Sequence, residues 1–336
     1  MAQKRISAID YLKFIAVFLV MNSHMSICYP RFDFLATGGA IGDALFFFAS
    51  GFTLFLGKTD VRFDQWYKRR INRIYPSVIA AAIVAYVVWH FEENIGDILL
   101  GRRYWFLGCI MIYYIVIFPI RKITDEKKVY GLFLFWLLVM ILSFFFIWKG
   151  TAALYSKGLY RCLIFFLFML LGAIVGKHHS QIHYRWWNIP TLIVCTALWF
   201  YLVQSGTGER ILIWSIFPLL GITYLTYSIC NAPILTRLYD TCIGGNIVFI
   251  ISQLCLEVYL IQKFIFTEEF NHLFPLNILL IMLAVILAAY GVKMLAEFIS
   301  QTFRSDPYDW GRLILYNRDC CAPKNSDINQ EDCAKS

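Results

Sequence analysis

Residues 10–25 have the sequence DYLKFIAVFLVMNSHM, which is apolar enough to span a bilayer yet carries Asp10, Lys13 and His24. Ionisable side chains are costly at membrane depth, so each one predicts an interior site with a partner rather than a contact with lipid. On an α-helix, Lys13 and His24 are separated by nearly whole turns, which places them on one face, roughly 16 Å apart along the axis. Asp10 precedes Lys13 by the spacing at which opposite charges meet on a helix. The segment therefore predicts one face that runs from an acid–base pair to an imidazole.

The composition of the chain is typical of a polytopic membrane protein. Hydrophobic residues make up 60% of the 336 residues and charged residues only 15%, whereas about a quarter of residues are charged in soluble domains. The formal charge of +8 comes from basic residues in short loops beside apolar segments, a pattern that orients membrane proteins and does not indicate nucleic-acid binding. The cysteines lack the spacing of a zinc or redox site, so we expect small buried hydrophobes, no metal and no permanently bound cofactor.

The apolar segments predict an all-α protein with about ten transmembrane helices. They cover residues 9–27, 40–57, 75–91, 104–121, 130–148, 159–176, 188–204, 210–230, 245–267 and 276–299. Basic residues are concentrated in alternate loops, which predicts that both termini are cytoplasmic. We expect residues 1–303 to form a single transmembrane domain and residues 304–336 to form a polar cytoplasmic tail.

The densest basic run is KRRINRIYP, from Lys68 to Pro76. On composition alone this run is an anchor at the inner membrane surface, because juxtamembrane Lys and Arg attract anionic lipid headgroups. Arg69, Arg70 and Arg73 nevertheless have spacings of three and four residues, which on a helix gather their guanidinium groups. Such a cluster is suited to bidentate contacts with phosphate.

Two other apolar segments carry polar residues. In FFFASGF, residues 46–52, the Ser-Gly pair that begins at Ser50 permits close approach of a helix or a ligand, and ordinary helix packing is the simpler interpretation. Glu257 lies in the predicted ninth span, where a carboxylate needs a partner or a water-filled cavity. We expect a buried, paired Glu257 with Lys13 as its partner, since Lys263 is six positions away on the same helix and poorly placed to reach it.

These motifs together resemble the membrane-bound acyltransferase family 3. The resemblance rests on the Lys13-to-His24 spacing, on FFFASGF and RRINRIYP, on YWFL at the start of the fourth span, and on LEVYLIQ in the ninth. Within the family, the chain is most similar to bacterial O-acetyltransferases of surface glycans that lack an appended extracytoplasmic domain. Lys13 stands where many members have arginine, and Gln262 stands where many have histidine.

The resemblance implies an enzyme of the bacterial inner membrane that moves an acetyl group from cytoplasmic acetyl-coenzyme A to a hydroxyl of a cell-surface or lipid-linked glycan. His24 would be the general base, because neutral imidazole can take a proton from a sugar hydroxyl. Histidine can also act as a nucleophile, so an acetyl-enzyme at His24 stays open. Beyond the bilayer, the implied partners are therefore acetyl-coenzyme A and a glycan acceptor.

The resemblance also implies one set of donor-binding residues and one set of supporting residues. The donor-binding set comprises Lys13, Arg69, Arg70 and Arg73. The supporting set comprises Asp10, Ser50 and Glu257. For Lys13 two interpretations stand side by side: it either pairs with Asp10 or meets a phosphate group of the donor.

A transporter or flippase of a lipid-linked saccharide or organic anion is the alternative function. Charges inside the membrane suit a transport pathway as well as an active site. A transporter would be expected to show a repeat in its hydropathy, often with matching Gly or Pro breaks, and the sequence has none. The sequence therefore favours an acyltransferase, while its loops select neither a particular acceptor nor acetyl over succinyl.

Overall fold

The computed structural model describes residues 5–57, 60–92, 94, 96–97, 104–123, 126–147, 154–155, 159–205, 210–303 and 306–315. All regular secondary structure in these ranges is helical, as the apolar segments predict. We label the α-helices in chain order as α1 Ser7–His24, α2 Gly39–Leu56, α3 Phe63–Trp89, α4 Trp105–Arg121, α5 Glu126–Ile147, α6 Leu159–Lys177, α7 Asn188–Ser205, α8 Ile216–Cys230, α9 Pro233–Tyr239, α10 Cys242–Gln253, α11 Cys255–Ile265 and α12 Leu276–Thr302.

Several of these helices are long and apolar enough to cross a membrane. Within the described ranges there are seven such segments, and the pair α9 and α10, bent by 93°, gives an eighth if it is one span. α1 is not among them, because its polar residues lower its mean hydropathy, and α4 is a shorter apolar helix. The chain is therefore a multi-pass membrane protein, while ten spans and cytoplasmic termini stay predictions.

Two predicted spans differ from the observed helices. The predicted ninth span, residues 245–267, is not one helix, because α10 ends at Gln253 and α11 begins at Cys255. Leu254 between them has ψ of 6°, which departs from helical geometry. The third span begins earlier than predicted, since α3 starts at Phe63 and carries the whole basic run on its first turns. The clustered arginines therefore lie on a helix, as their spacing predicts.

The tightest crossing of two helices is between α2 and α6. A Cβ atom at Gly51 would lie 1.9 Å from the backbone oxygen of Met169, and one at Gly172 would lie 2.0 Å from that of Phe48. These distances are far below van der Waals contact, so only glycine permits this approach. Ordinary helix packing is thus the observed role of Gly51, while its neighbour Ser50 faces a cavity.

α1 lies at the centre of the bundle, where it packs against α2, α8, α10 and α11. Its buried residues include Asp10 and Leu12.

One expectation about the cysteines is wrong, because Cys109 of α4 and Cys162 of α6 form a disulfide instead of two free thiols. Of the predicted tail, residues 306–315 are described and residues 316–336 lie outside the described part of the chain.

We predict that Gly172→Ala destabilises the protein, because its new methyl group would overlap the backbone of α2. Overpacking of this kind typically costs about 1–3 kcal/mol. The control is Gly291→Ala on α12, where a Cβ atom meets nothing within 4 Å and where alanine favours the helix by roughly 0.5–1 kcal/mol. Thermal unfolding in detergent should show a lower midpoint for Gly172→Ala only, and equal midpoints would contradict the crossing.

Candidate active site

Asp10 is held by residues that come from three other segments of the chain. Its side chain is almost fully buried, at 2% exposure, and accepts hydrogen bonds from Arg5 Nε at 2.5 Å and Nη2 at 2.9 Å. Tyr239 donates at 2.6 Å and Ser252 at 3.2 Å. Burial lowers the pKa of Arg5, but the hydrogen bonds and negative charge of Asp10 outweigh it and raise that pKa, so the guanidinium stays charged. Pairing of Asp10 with Lys13 is therefore wrong, because the guanidinium fork and two hydroxyls already occupy both carboxylate oxygens.

Glu257 is 1% exposed and paired, as predicted, although its partner is not the predicted one. Lys293 of α12 forms an ion pair with Glu257 Oε1 at 3.0 Å, and Ser77 of α3 donates a hydrogen bond to the same oxygen at 2.6 Å. α11 packs against α1, α3 and α12, so the carboxylate is reached from α3 and α12. Lys13 is thus the wrong partner, and Lys263 lies exposed elsewhere on α11.

A cavity of about 460 Å³ opens beside these two carboxylates, between α1, α2, α3, α4, α10, α11 and α12. Most of the sequence-predicted site residues line it, although they lie far apart in the chain. They are Asp10, Lys13, Ser50, Arg70, Arg73 and Glu257. Tertiary packing therefore brings the motifs of α1, α2, α3 and α11 into one chamber.

Three cations in this cavity have no carboxylate partner among the described residues. Neither Lys13 nor Arg73 makes a side-chain hydrogen bond or ion pair with any described residue. Arg70 rests against aromatic rings instead, with its guanidinium carbon 5.2 Å from the ring centre of Trp66 and 5.8 Å from that of Tyr114. Because Asp10 and Glu257 already hold other cations, this part of the cavity carries net positive charge and is suited to an anionic ligand.

Arg69 faces a second, adjoining cavity of about 410 Å³ between α3 and α12. Arg73 and Lys293 line both cavities. The remaining lining includes the polar residues Asn72 and Glu297. The arginine cluster is therefore divided, with Arg70 on the first cavity, Arg69 on the second and Arg73 between them.

His24 is the predicted site residue that the structure keeps apart from the others. It ends α1, is exposed, and makes no hydrogen bond or ion pair with any described residue. The cavity extends along α1 from Arg5 to Val20, so it stops one helical turn, about 6 Å, short of His24. Lys263 lies close enough for its charge to act on the imidazole.

Sequence reasoning missed three charged residues that line the cavity, Arg5, Asp43 and Lys293. Asp43 of α2 and Lys293 of α12 each lie within a long apolar helix. The rule that singled out Glu257, an ionisable group inside an apolar segment, applies equally to both. Within the described ranges, the structure has no group of three His, Cys, Asp or Glu residues that could hold a metal ion.

We predict that Glu257→Gln lowers stability and activity together, because it leaves Lys293 without its counter-ion. Removing one partner of a buried ion pair typically costs about 3–5 kcal/mol, whereas replacing both with apolar residues is often neutral. Thermal unfolding should therefore show a large loss for Glu257→Gln and recovery in Glu257→Leu combined with Lys293→Met. The control is Asp64→Asn, which breaks an exposed pair with Arg62. Native stability in Glu257→Gln, with altered use of one substrate only, would instead make Glu257 a substrate contact.

Comparison with known proteins identifies the family of the chain. No curated protein and no solved structure matches the chain. A family model does match, that of the acyltransferase domain of the Acyl_transf_3 family, and it covers residues 6–294. This range contains α1 to α11, most of α12 and every site residue predicted from the sequence. The match decides between the two functions left open by the sequence, a transporter and an enzyme: the chain belongs to the acyltransferase family 3 and is a membrane acyltransferase.

Proposed function

We propose that this protein is an O-acyltransferase of the bacterial inner membrane, which moves an acetyl group from acetyl-coenzyme A to a hydroxyl of a cell-surface or lipid-linked glycan. One observation carries the proposal. Lys13, Arg70 and Arg73 face a single cavity without carboxylate partners, and the cavity extends along α1 toward His24. A polyanionic donor at one end and a proton acceptor near the other is the arrangement that this reaction needs.

The donor end matches the chemistry of coenzyme A. Its phosphate groups require several cations, and arginine binds phosphate through paired hydrogen bonds. Arg70 and Arg73 would hold phosphates at the first cavity and Arg69 at the second, with Lys13 deeper along α1. The uncharged pantetheine arm would then lie between α1, α2 and α3, where the lining includes Ser50. This assignment makes Lys13 a donor contact, since Asp10 is already paired with Arg5.

The transfer step follows from the position of His24 at the other end of α1. The imidazole would take the proton of the acceptor hydroxyl while that oxygen attacks the thioester carbonyl. A carbon–oxygen bond forms, the carbon–sulfur bond breaks, and the thiolate of coenzyme A takes up a proton as it leaves. The variant in which His24 first carries the acetyl group requires the same contacts with the donor.

The proposal is tested by mass spectrometry of surface glycans from a deletion strain and from strains complemented with each variant. We expect the deletion to remove one type of acyl group, whose mass identifies it as acetyl or succinyl. His24→Ala should fail to restore it, because losing a general base slows a reaction by about 10²–10⁴-fold. His272→Ala is the control, since His272 is another exposed histidine and lies outside both cavities. Full complementation by folded His24→Ala would remove His24 from the mechanism, and unchanged glycans in the deletion strain would argue against a glycan acceptor.

We further predict that neutralising Arg70 and Arg73 raises the KM for acetyl-coenzyme A more than that for the acceptor. Each charge-assisted hydrogen bond contributes about 1.5–3 kcal/mol, roughly tenfold or more in affinity. The matched control is Lys68→Ala, which removes a cation from the same turn of α3 but from neither cavity. Titration calorimetry with coenzyme A measures the effect directly. Equal affinities in both variants, together with misoriented protein, would mean that the run only anchors the chain in the membrane.

A further inference from the structure

Asp43 is an acidic residue of the main cavity that the proposed mechanism does not use. The other two carboxylates that line the cavity, Asp10 and Glu257, are held by Arg5 and Lys293. Asp43 makes no side-chain hydrogen bond or ion pair with any described residue, although it lies within α2. A carboxylate kept in an apolar helix without a partner costs stability, so its retention points to a ligand.

The packing of α1 on α2 fixes where Asp43 lies. A Cβ atom at the preceding residue, Gly42, would lie 2.7 Å from Val20, and one at Gly39 would lie 2.6 Å from Ser23. α1 and α2 are therefore antiparallel, and Asp43 is at the depth of Val20. That depth is about one helical turn from His24 and far from the arginines of α3.

Aromatic side chains surround this end of the cavity. Phe46, Phe106 and Tyr259 line it together with Asp43. The ring centres of Phe46 and Phe106 are 6.1 Å apart, and those of Phe106 and Tyr259 are 5.7 Å apart. Arg161 lies close enough for its charge to act on Asp43, while its guanidinium stacks 3.6 Å above the ring of Trp105.

A free carboxylate among aromatic rings suits a neutral, hydroxyl-rich ligand. An ionised carboxylate only accepts hydrogen bonds, and two hydroxyls can share its oxygens. Aromatic rings supply apolar surface against which the C–H face of a sugar ring can pack. The negative charge repels phosphate, which separates this end from the cationic end.

We propose that Asp43 binds the acceptor sugar by accepting a hydrogen bond from one of its hydroxyls, with Phe46, Phe106 and Tyr259 as the aromatic wall of the acceptor subsite. This inference rests on the proposed function and names the acceptor side of the same site. Asp43 is a binding residue here: it holds the sugar so that a neighbouring hydroxyl meets the thioester near His24.

The test uses Asp43→Asn in the full-length protein, with Asp33→Asn as the matched control. Asp33 lies in a short 3₁₀ helix before α2 and does not line the cavity. Three quantities are measured for each variant: acylation of surface glycans in the complemented deletion strain, affinity of the purified protein for coenzyme A, and the thermal unfolding midpoint. We expect Asp43→Asn to lower glycan acylation by about tenfold or more, since a hydrogen bond to a charged group is weakened. Affinity for coenzyme A should stay within about twofold, because the phosphate contacts are untouched.

The unfolding midpoint separates binding from a structural role. Removing a carboxylate that has no hydrogen bond or ion pair with a described residue should leave the midpoint of Asp43→Asn unchanged or raised, in contrast to Glu257→Gln. A lowered midpoint, lost affinity for coenzyme A, or wild-type acylation of glycans would each overturn the assignment of Asp43 to the acceptor.

The wild-type protein tests the proposed function separately. If the wild-type protein fails to bind coenzyme A, the proposed function fails, whatever the Asp43 variants show.

Discussion

The interior of this protein is governed by the cost of placing a charge away from water without a partner. Arg5 neutralises Asp10, and Lys293 neutralises Glu257. Hydrogen bonds to the same carboxylates, from Tyr239 to Asp10 and from Ser77 to Glu257, join segments that are far apart in the chain. Because these carboxylates are already neutralised, they cannot neutralise Lys13. The end of the cavity near Lys13, Arg70 and Arg73 is therefore left with positive charge that an anionic ligand can balance. The ion pairs at Asp10 and Glu257 thus leave other cations of the cavity unpaired, and an anionic ligand can neutralise them.

The helical class and most helix positions follow from the length of the apolar segments, but the breaks do not. Nothing in residues 245–267 marks Leu254 as the point where α10 ends, because apolar residues continue on both sides. Local spacing predicted that Asp10 and Lys13 share one face of α1, because helix periodicity fixes that face, and both residues line one cavity. It could not supply the partners, because Tyr239 and Lys293 are brought near by tertiary packing.

Asp43 illustrates a different limit of the sequence. Position 43 begins an apolar segment, where a charge can reach the membrane surface and costs little. Its real depth depends on how α1 and α2 are aligned, which is set by Gly42 against Val20 and Gly39 against Ser23. Small residues on one helix thus decide whether a nearby carboxylate meets water or a cavity. The alignment of α1 with α2 depends on both helices, so it cannot be predicted from the sequence of either helix alone.

The proposed function, together with the separation of charge along the cavity, would account for the exposed position of His24. In that proposal, a donor held by Arg70 and Arg73 enters from one end, so its thioester is carried toward the opposite end of α1. A base placed deep in the cavity would occupy the path of the pantetheine arm. A base one turn beyond Val20 can instead meet the acceptor as it arrives from the far side. In the proposed reaction the two substrates would approach from opposite ends of the cavity and react where their paths meet, so neither one would have to cross the bilayer.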